Sequence, residues 1–235
     1  MGYLFDSFQA ALGLLTRFDP EIAFVVWISL YTATAAIILA GLVGVPAGLW
    51  LGQTRFRGRR VVLVLLNSLM ALPTVVVGLL LFGLLGRQGP LGPLGWLFTP
   101  QAIILGQAIL ATPIVTNLVL ATVQTADQRI VHTALTLGAS RFQAAMQLLK
   151  EVRYGVMAAI IAGFGRVIAE VGIAMMLGGN IRGFTRTMTT AIALETSKGE
   201  FIFALALGLV LIGVALGVNL FLYFLQQRGL DEPAV

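Results

Sequence analysis

The sequence predicts an all-α polytopic membrane protein, and three observations point there. Of its 235 residues, 58% are hydrophobic and only 11% are charged, where a soluble domain carries about a quarter. The charges cluster in short polar stretches separated by long uncharged runs. Several of those runs reach the ~20 apolar residues that a helix needs to cross a ~30 Å hydrocarbon core, where the backbone must satisfy its own hydrogen bonds.

Five spans follow in order, within a transmembrane domain over 21–227. The first, 22–51, is longer than a bilayer requires, so it tilts or projects. The second, 61–85, contains Pro73 and the third, 101–123, contains Pro113, while Pro46 lies in the first. An internal proline removes a backbone donor and frees a carbonyl. Such sites read either as kinks near a pore or as irregularities tolerated by neighbouring helices. The fourth span is 154–177 and the fifth 201–225, where Gly208, Gly213 and Gly217 suit close helix packing. Ahead of them, Leu4, Phe8, Leu12 and Leu15 give residues 1–20 the spacing of an amphipathic helix at the interface, with a frayed terminus as the alternative. Those residues lack the basic start and unbroken apolar run of a cleavable signal peptide. Residues 228–235 read as a cytoplasmic tail.

Orientation follows from the basic residues. Arg55, Arg57, Arg59, Arg60, Arg129, Arg141, Lys150, Arg153 and Arg228 fall on one side; Arg17, Arg87, Arg182, Arg186 and Lys198 fall on the other. The richer side is cytoplasmic, which puts the N-terminus out and the C-terminus in. The net charge of +5 is then a property of loops and implies no nucleic-acid partner.

Several chemistries are excluded. With no cysteine there is no disulfide, thiolate metal site or cysteine nucleophile, and one histidine, His132, leaves no transition-metal site. No Gly-x-x-x-x-Gly-Lys-Ser/Thr loop is present, so an ATP site, if one is used, belongs to another chain. An intramembrane enzyme would need a second carboxylate or a histidine at the depth of Glu170, and none is there.

The linker 124–153 is too polar to span and too patterned to be disordered. Ile130, Ala134 and Leu137 give one helical face; Phe142, Ala145, Met146 and Leu149 give another; Gly138-Ala139-Ser140 fits a turn between them. Two short helices on the cytoplasmic face result. They either dock into a groove of a soluble partner or form a surface hairpin without one.

Residues His132 to Glu151 resemble the signature loop of binding-protein-dependent ABC importer permeases: Glu-Ala-Ala, three residues, Gly, nine residues, Ile, one residue, Leu-Pro. Ala134, Gly138 and Leu148 fall on the third, Gly and Ile positions; His132, Thr133 and Lys150-Glu151 depart from the pattern. The resemblance implies a coupling helix seated in the ATP-binding subunit, with Thr133, Ala134, Gly138, Ala139, Ser140, Arg141 and Phe142 in that role. The segment Glu170 to Phe201, with Gly179-Asn180-Ile181 and Thr187-Met-Thr-Thr-Ala-Ile-Ala-Leu-Glu-Thr, resembles tungstate permeases, and more loosely molybdate permeases. Together the resemblances cover roughly 25–225.

They imply a type I importer fold and a homodimer with the pathway at its interface. They also imply two ATP-binding subunits, holding ATP and Mg outside this chain, and an extracytoplasmic oxyanion-binding protein. No cofactor is expected on the chain itself. Tungstate is the expected cargo, with molybdate or sulfate as alternatives; a channel or structural membrane protein is the reading from another class.

Arg166 and Glu170 are the two charges inside the fourth span, one helical turn apart. A charge at mid-bilayer costs ~2.5–3.5 kcal/mol on insertion scales, so the pair is expected either beside the translocation path or as an ion pair orienting neighbouring helices. Residues 178–200 read as a long polar outer loop, in which the resemblance implies that Asn180, Arg182, Arg186, Thr187, Thr189 and Thr190 form an external gate where a loaded binding protein docks; from the residues alone the alternative is an ordinary solvated loop with N-capping threonines. The amide, guanidinium and hydroxyl donors of this set suit a dianion. Met175 and Met176 read as packing, or as a flexible constriction.

Overall fold

The computed structural model describes residues 7–13, 19–127 and 129–230. It is helical throughout its ordered elements. The first long helix, α1 (Pro20–Gln53), starts where Pro20 has no amide to satisfy and where the Asp19 carboxylate accepts from the amides of Glu21 at 2.8 Å and Ile22 at 3.3 Å. At 34 residues it is ~51 Å long, more than a bilayer needs. Pro46 sits inside it without ending it. At its far end the Arg59 guanidinium donates to the Leu51 carbonyl at 3.1 Å.

The second span is broken. Gly58, with φ 93°, turns the chain into α2 (Arg59–Met70), and α3 (Thr74–Leu85) leaves it at 95°. Pro73 is thus the N-cap of a new helix and does more than kink a continuous one. The helix α4 (Pro100–Thr125) is continuous through Pro113. After it come α5 (Arg129–Thr136), α6 (Arg141–Glu151) and α7 (Arg153–Ile168). A 61° bend separates α7 from α8 (Gly172–Gly178). The chain closes with α9 (Met188–Lys198) and α10 (Phe201–Leu230). Helices α1, α4 and the Phe201–Val218 part of α10 are each long and apolar enough to cross a membrane; the two bent pairs bring the number to five if each pair is one span.

Apolar surface gains little by leaving lipid, so packing in this class of fold depends on close backbone approach. The α1–α4 contact shows it. A Cβ on Gly48 would lie 2.8 Å from the Thr116 carbonyl oxygen and from Val119 Cβ, and one on Gly44 would meet Val115 at 3.1 Å. Close-packing glycines lie in the first, third and fourth spans, Gly106 and Gly163 among them, whereas Gly208, Gly213 and Gly217 of the fifth meet nothing within 4 Å inside this chain.

Two apolar clusters result. The larger joins α1, α4, α7, α9 and α10 around Val25, Ala36, Val115, Val119, Val167 and Leu207. The smaller joins α3, α8 and the start of α4 around Leu81, Leu85, Ala102, Ile173 and Leu177. Met176 belongs to this second assembly as packing: its Cβ lies 3.2 Å from where a Gly78 Cβ would stand. The expected amphipathic segment 1–20 lies partly outside the described residues; within the helical stretch 7–13, Phe8 and Leu12 are exposed.

Candidate functional site

The α5–α6 hairpin is built by local chemistry. Gly138 adopts φ 89°. The Ala139 amide donates back to the Ala134 carbonyl at 3.0 Å and the Gly138 amide to Leu135 at 3.1 Å, which closes α5 in a left-handed cap that favours glycine. Ser140 then caps α6 reciprocally: its hydroxyl accepts from the Gln143 amide at 3.3 Å, and its own amide donates to Gln143 Oε1 at 2.7 Å. The expected turn at Gly138-Ala139-Ser140 is there.

The faces differ from the expected ones. Helix α6 buries Ala144 and Leu148, while Phe142 and Met146 point outward. Leu137 at 82% and Phe142 at 74% exposure are the two most open large apolar side chains described, one on each side of the turn. Thr133, Ser140 and Arg141 are exposed beside them, and Ala134 and Ala139 are half-buried.

The break between α7 and α8 exposes backbone groups that side chains then satisfy. Glu170 is 4% exposed and its Oε2 accepts from Arg166 Nη1 at 2.7 Å, while Arg166 is 45% exposed. Glu170 Oε1 accepts from the amides of Gly172 at 2.9 Å and Ile173 at 3.5 Å, capping α8. The Thr189 hydroxyl donates to the Glu170 carbonyl at 2.9 Å, and Gln107 Nε2 to the Val167 carbonyl at 3.4 Å. Glu170 is therefore both an ion-pair partner and a helix cap. Gln107, on α4, was missed because a lone glutamine in an apolar run shows no periodic signal.

Residues 178–200 are not the solvated loop expected from their polarity. They contain α9, and Arg186, Thr187, Thr189 and Thr190 are buried. Thr187 caps α9, sharing a capping box with Thr190. The Met188 amide donates to the Ser29 hydroxyl of α1 at 2.7 Å. Asn180 takes φ 51°, and its Nδ2 donates to the Thr190 carbonyl at 3.3 Å. The hydroxyls and backbone groups of this set are partners of one another, while Asn180 Oδ1 and Arg186 Nε are buried without a hydrogen-bond partner among the described residues.

Glu21, in the first turn of α1, receives both Arg182 and Arg186, the latter at 3.1 Å. Arg186 lies 3.5 Å from Glu195, which also pairs with Lys198 at 3.0 Å. The hydrogen bond and then the charge of Glu21 raise the pKa of Arg182. Arg182 is open to solvent and Arg186 is enclosed. Glu21 was not anticipated, since nothing local in the sequence signals a pairing across some 165 residues, and Glu195 was not anticipated either, although Lys198 lies one helical turn away.

Long and broken apolar helices with a capped hairpin beside them make up a membrane-type helical bundle. The family described as the binding-protein-dependent transport system inner membrane component matches residues 44–229, and this chain belongs to it. A tungstate uptake system permease protein of Peptoclostridium acidaminophilum is 37% identical over 97% of this chain and all of that one. Its counterpart in Campylobacter jejuni is 38% identical over 97% of this chain and 95% of that one. A putative molybdenum transport system permease of Bacillus subtilis is 26% identical over 86% of this chain and 91% of that one. Among solved structures, an amino acid ABC transporter described with histidines superposes with TM-score 0.65 at 16% identity, covering 91% of this chain and 96% of that one, and shares the fold.

Proposed function

We propose that the chain is the permease subunit of an ATP-driven tungstate importer. The observation that carries this is the near full-length similarity, at 37–38% identity, to two tungstate uptake permeases. Two copies form the pathway at their interface, two separate ATP-binding subunits supply the energy, and an extracytoplasmic binding protein delivers the anion. Five spans, with the bent pairs counted singly, run from an outer N-terminus to an inner C-terminus, in keeping with the basic residues gathered at the α1–α2 turn and the α5–α6 hairpin.

Thr133 to Phe142 insert into the ATPase, and the protruding Leu137 and Phe142 supply the apolar contact. The segment holding Arg166, Glu170, Asn180, Arg182, Arg186, Thr187, Thr189 and Thr190 forms the gate in a closed state. The burial of Glu170, Arg186, Thr187, Thr189 and Thr190 and their internal bonding support that role, and Arg166 and Arg182 are its exposed charges.

A molybdate permease is the second reading, favoured by a probable molybdenum permease of Haloferax volcanii at 30% identity over 84% of this chain. The test is cellular tungsten and molybdenum by elemental mass spectrometry, with the gene present and deleted and both anions supplied at trace level. Tungsten uptake alone is lost if the proposal holds. Loss of molybdenum alone selects the second reading, and unchanged uptake of both overturns the oxyanion assignment.

A further inference from the structure

Between α2 and α4 the apolar surface is interrupted by two carboxamides. Asn117 Nδ2 donates to Asn67 Oδ1 and to Met70 Sδ, the latter at 2.9 Å, so both of its N–H groups are engaged. The Nδ2 group of Asn67 and the Oδ1 of Asn117 make no hydrogen bond among the described residues, and the pair is open to the outside of the chain. Helix α2 buries none of its residues. Asn117 lies eight residues, or ~12 Å, inside the Thr125 end of α4, a depth that lies within the hydrocarbon.

A third polar group opens nearby. Pro113 has no amide, so the Ile109 carbonyl one turn earlier loses its helical donor. Ile109, Thr112 and Pro113 line a hollow with Leu66, Leu69 and Leu72 at the break between α2 and α3. Unsatisfied amide and carbonyl groups each cost several kcal/mol against lipid. Non-helical or unsatisfied backbone at membrane depth persists where it lines water or is covered by protein.

We infer that Asn67 and Asn117 line a water-filled transit path along the α2–α4 face, closed on its far side by a second copy of this chain, and that the Asn67 amide, oriented by Asn117, donates to an oxyanion in passage. The inference rests on the permease reading above and adds the specific residues. Neutral amides suit transit: a path must bind its cargo weakly enough to release it, whereas guanidinium groups hold a dianion through charge-assisted bonds.

The absence of native cysteine makes the test direct. Single Asn67→Cys and Asn117→Cys variants of the complete complex, in proteoliposomes, are treated with a charged, water-soluble thiosulfonate, with the exposed Leu216→Cys of α10 as the apolar-surface control. Both positions are expected to react at least about tenfold faster than the control, at rates that change on ATP binding. Asn117→Leu is expected to lower tungstate uptake about tenfold with ATP hydrolysis retained, and Asn117→Gln to restore part of it. If both cysteines resist the charged reagent in every nucleotide state and react only with a lipid-soluble maleimide, the pair faces lipid or a dry contact and the inference is overturned. Rapid charged labelling in a complex that imports neither tungstate nor molybdate leaves the path standing and removes the oxyanion reading alone.

Discussion

The hydroxyl of Thr189 donates to the carbonyl of Glu170 at 2.9 Å, and through that bond α9 holds the break in the fourth span. Thr189→Val keeps the shape and removes the donor, leaving a buried carbonyl unsatisfied. A loss of about 1 kcal/mol is expected, read as a lower unfolding temperature in detergent, with Thr189→Ser close to wild type. Equal melting of the valine variant would show that the bond carries nothing.

Arg166 and Glu170 are unequal partners, one half-exposed and one buried. Removing the arginine leaves a buried carboxylate without its counter-charge. Arg166→Ala is therefore expected to be more destabilising than the double variant Arg166→Ala/Glu170→Gln, whose neutral amide still accepts from the Gly172 amide. Additive losses in this cycle would contradict a direct coupling.

Glycine positions in the first and fifth spans are predicted to part company. Gly48→Ala forces a methyl to 2.8 Å from the Thr116 carbonyl and is expected to cost about 1–3 kcal/mol. Gly208→Ala enters open space in the chain and should leave its stability unchanged or slightly higher. Yield of folded protein and melting temperature report both.

Leu137 and Phe142 are largely exposed within the chain. Leu137→Ser and Phe142→Ser should leave thermal stability within about 0.5 kcal/mol of wild type. Co-purification with the ATP-binding subunit and transport-linked ATP hydrolysis should fall severalfold. Intact coupling in the double variant would place the ATPase contact elsewhere.

Arg186 touches Glu21 and Glu195 together. Arg186→Lys keeps the charge but not the planar reach, and is expected to lose one of the two contacts and about 1–2 kcal/mol. Melting at raised ionic strength should fall little further, because the network is largely enclosed.

What the sequence disclosed was the local part. The hairpin turn was legible because Gly138 and Ser140–Gln143 act over three or four residues. The Arg166–Glu170 pair was legible from helical spacing, and the spans from apolar length. Pro73 announced an irregularity, but the 95° turn depends on α3 leaving α2 to pack with α8, which no local pattern encodes. Helix α9 was read as loop because threonine and arginine ordinarily favour solvent. Its burial depends on Glu21 and Ser29, contributed from far away in the chain.

The bend between α7 and α8 is held at once by Gln107 of α4, by Thr189 of α9 and by Glu170 within the bend itself. Straightening it requires all of these bonds to yield together. The joint therefore behaves as a latch with a threshold, unlike a spring: small displacements of the surrounding helices leave the angle as it is, and a sufficient one releases it in a single step.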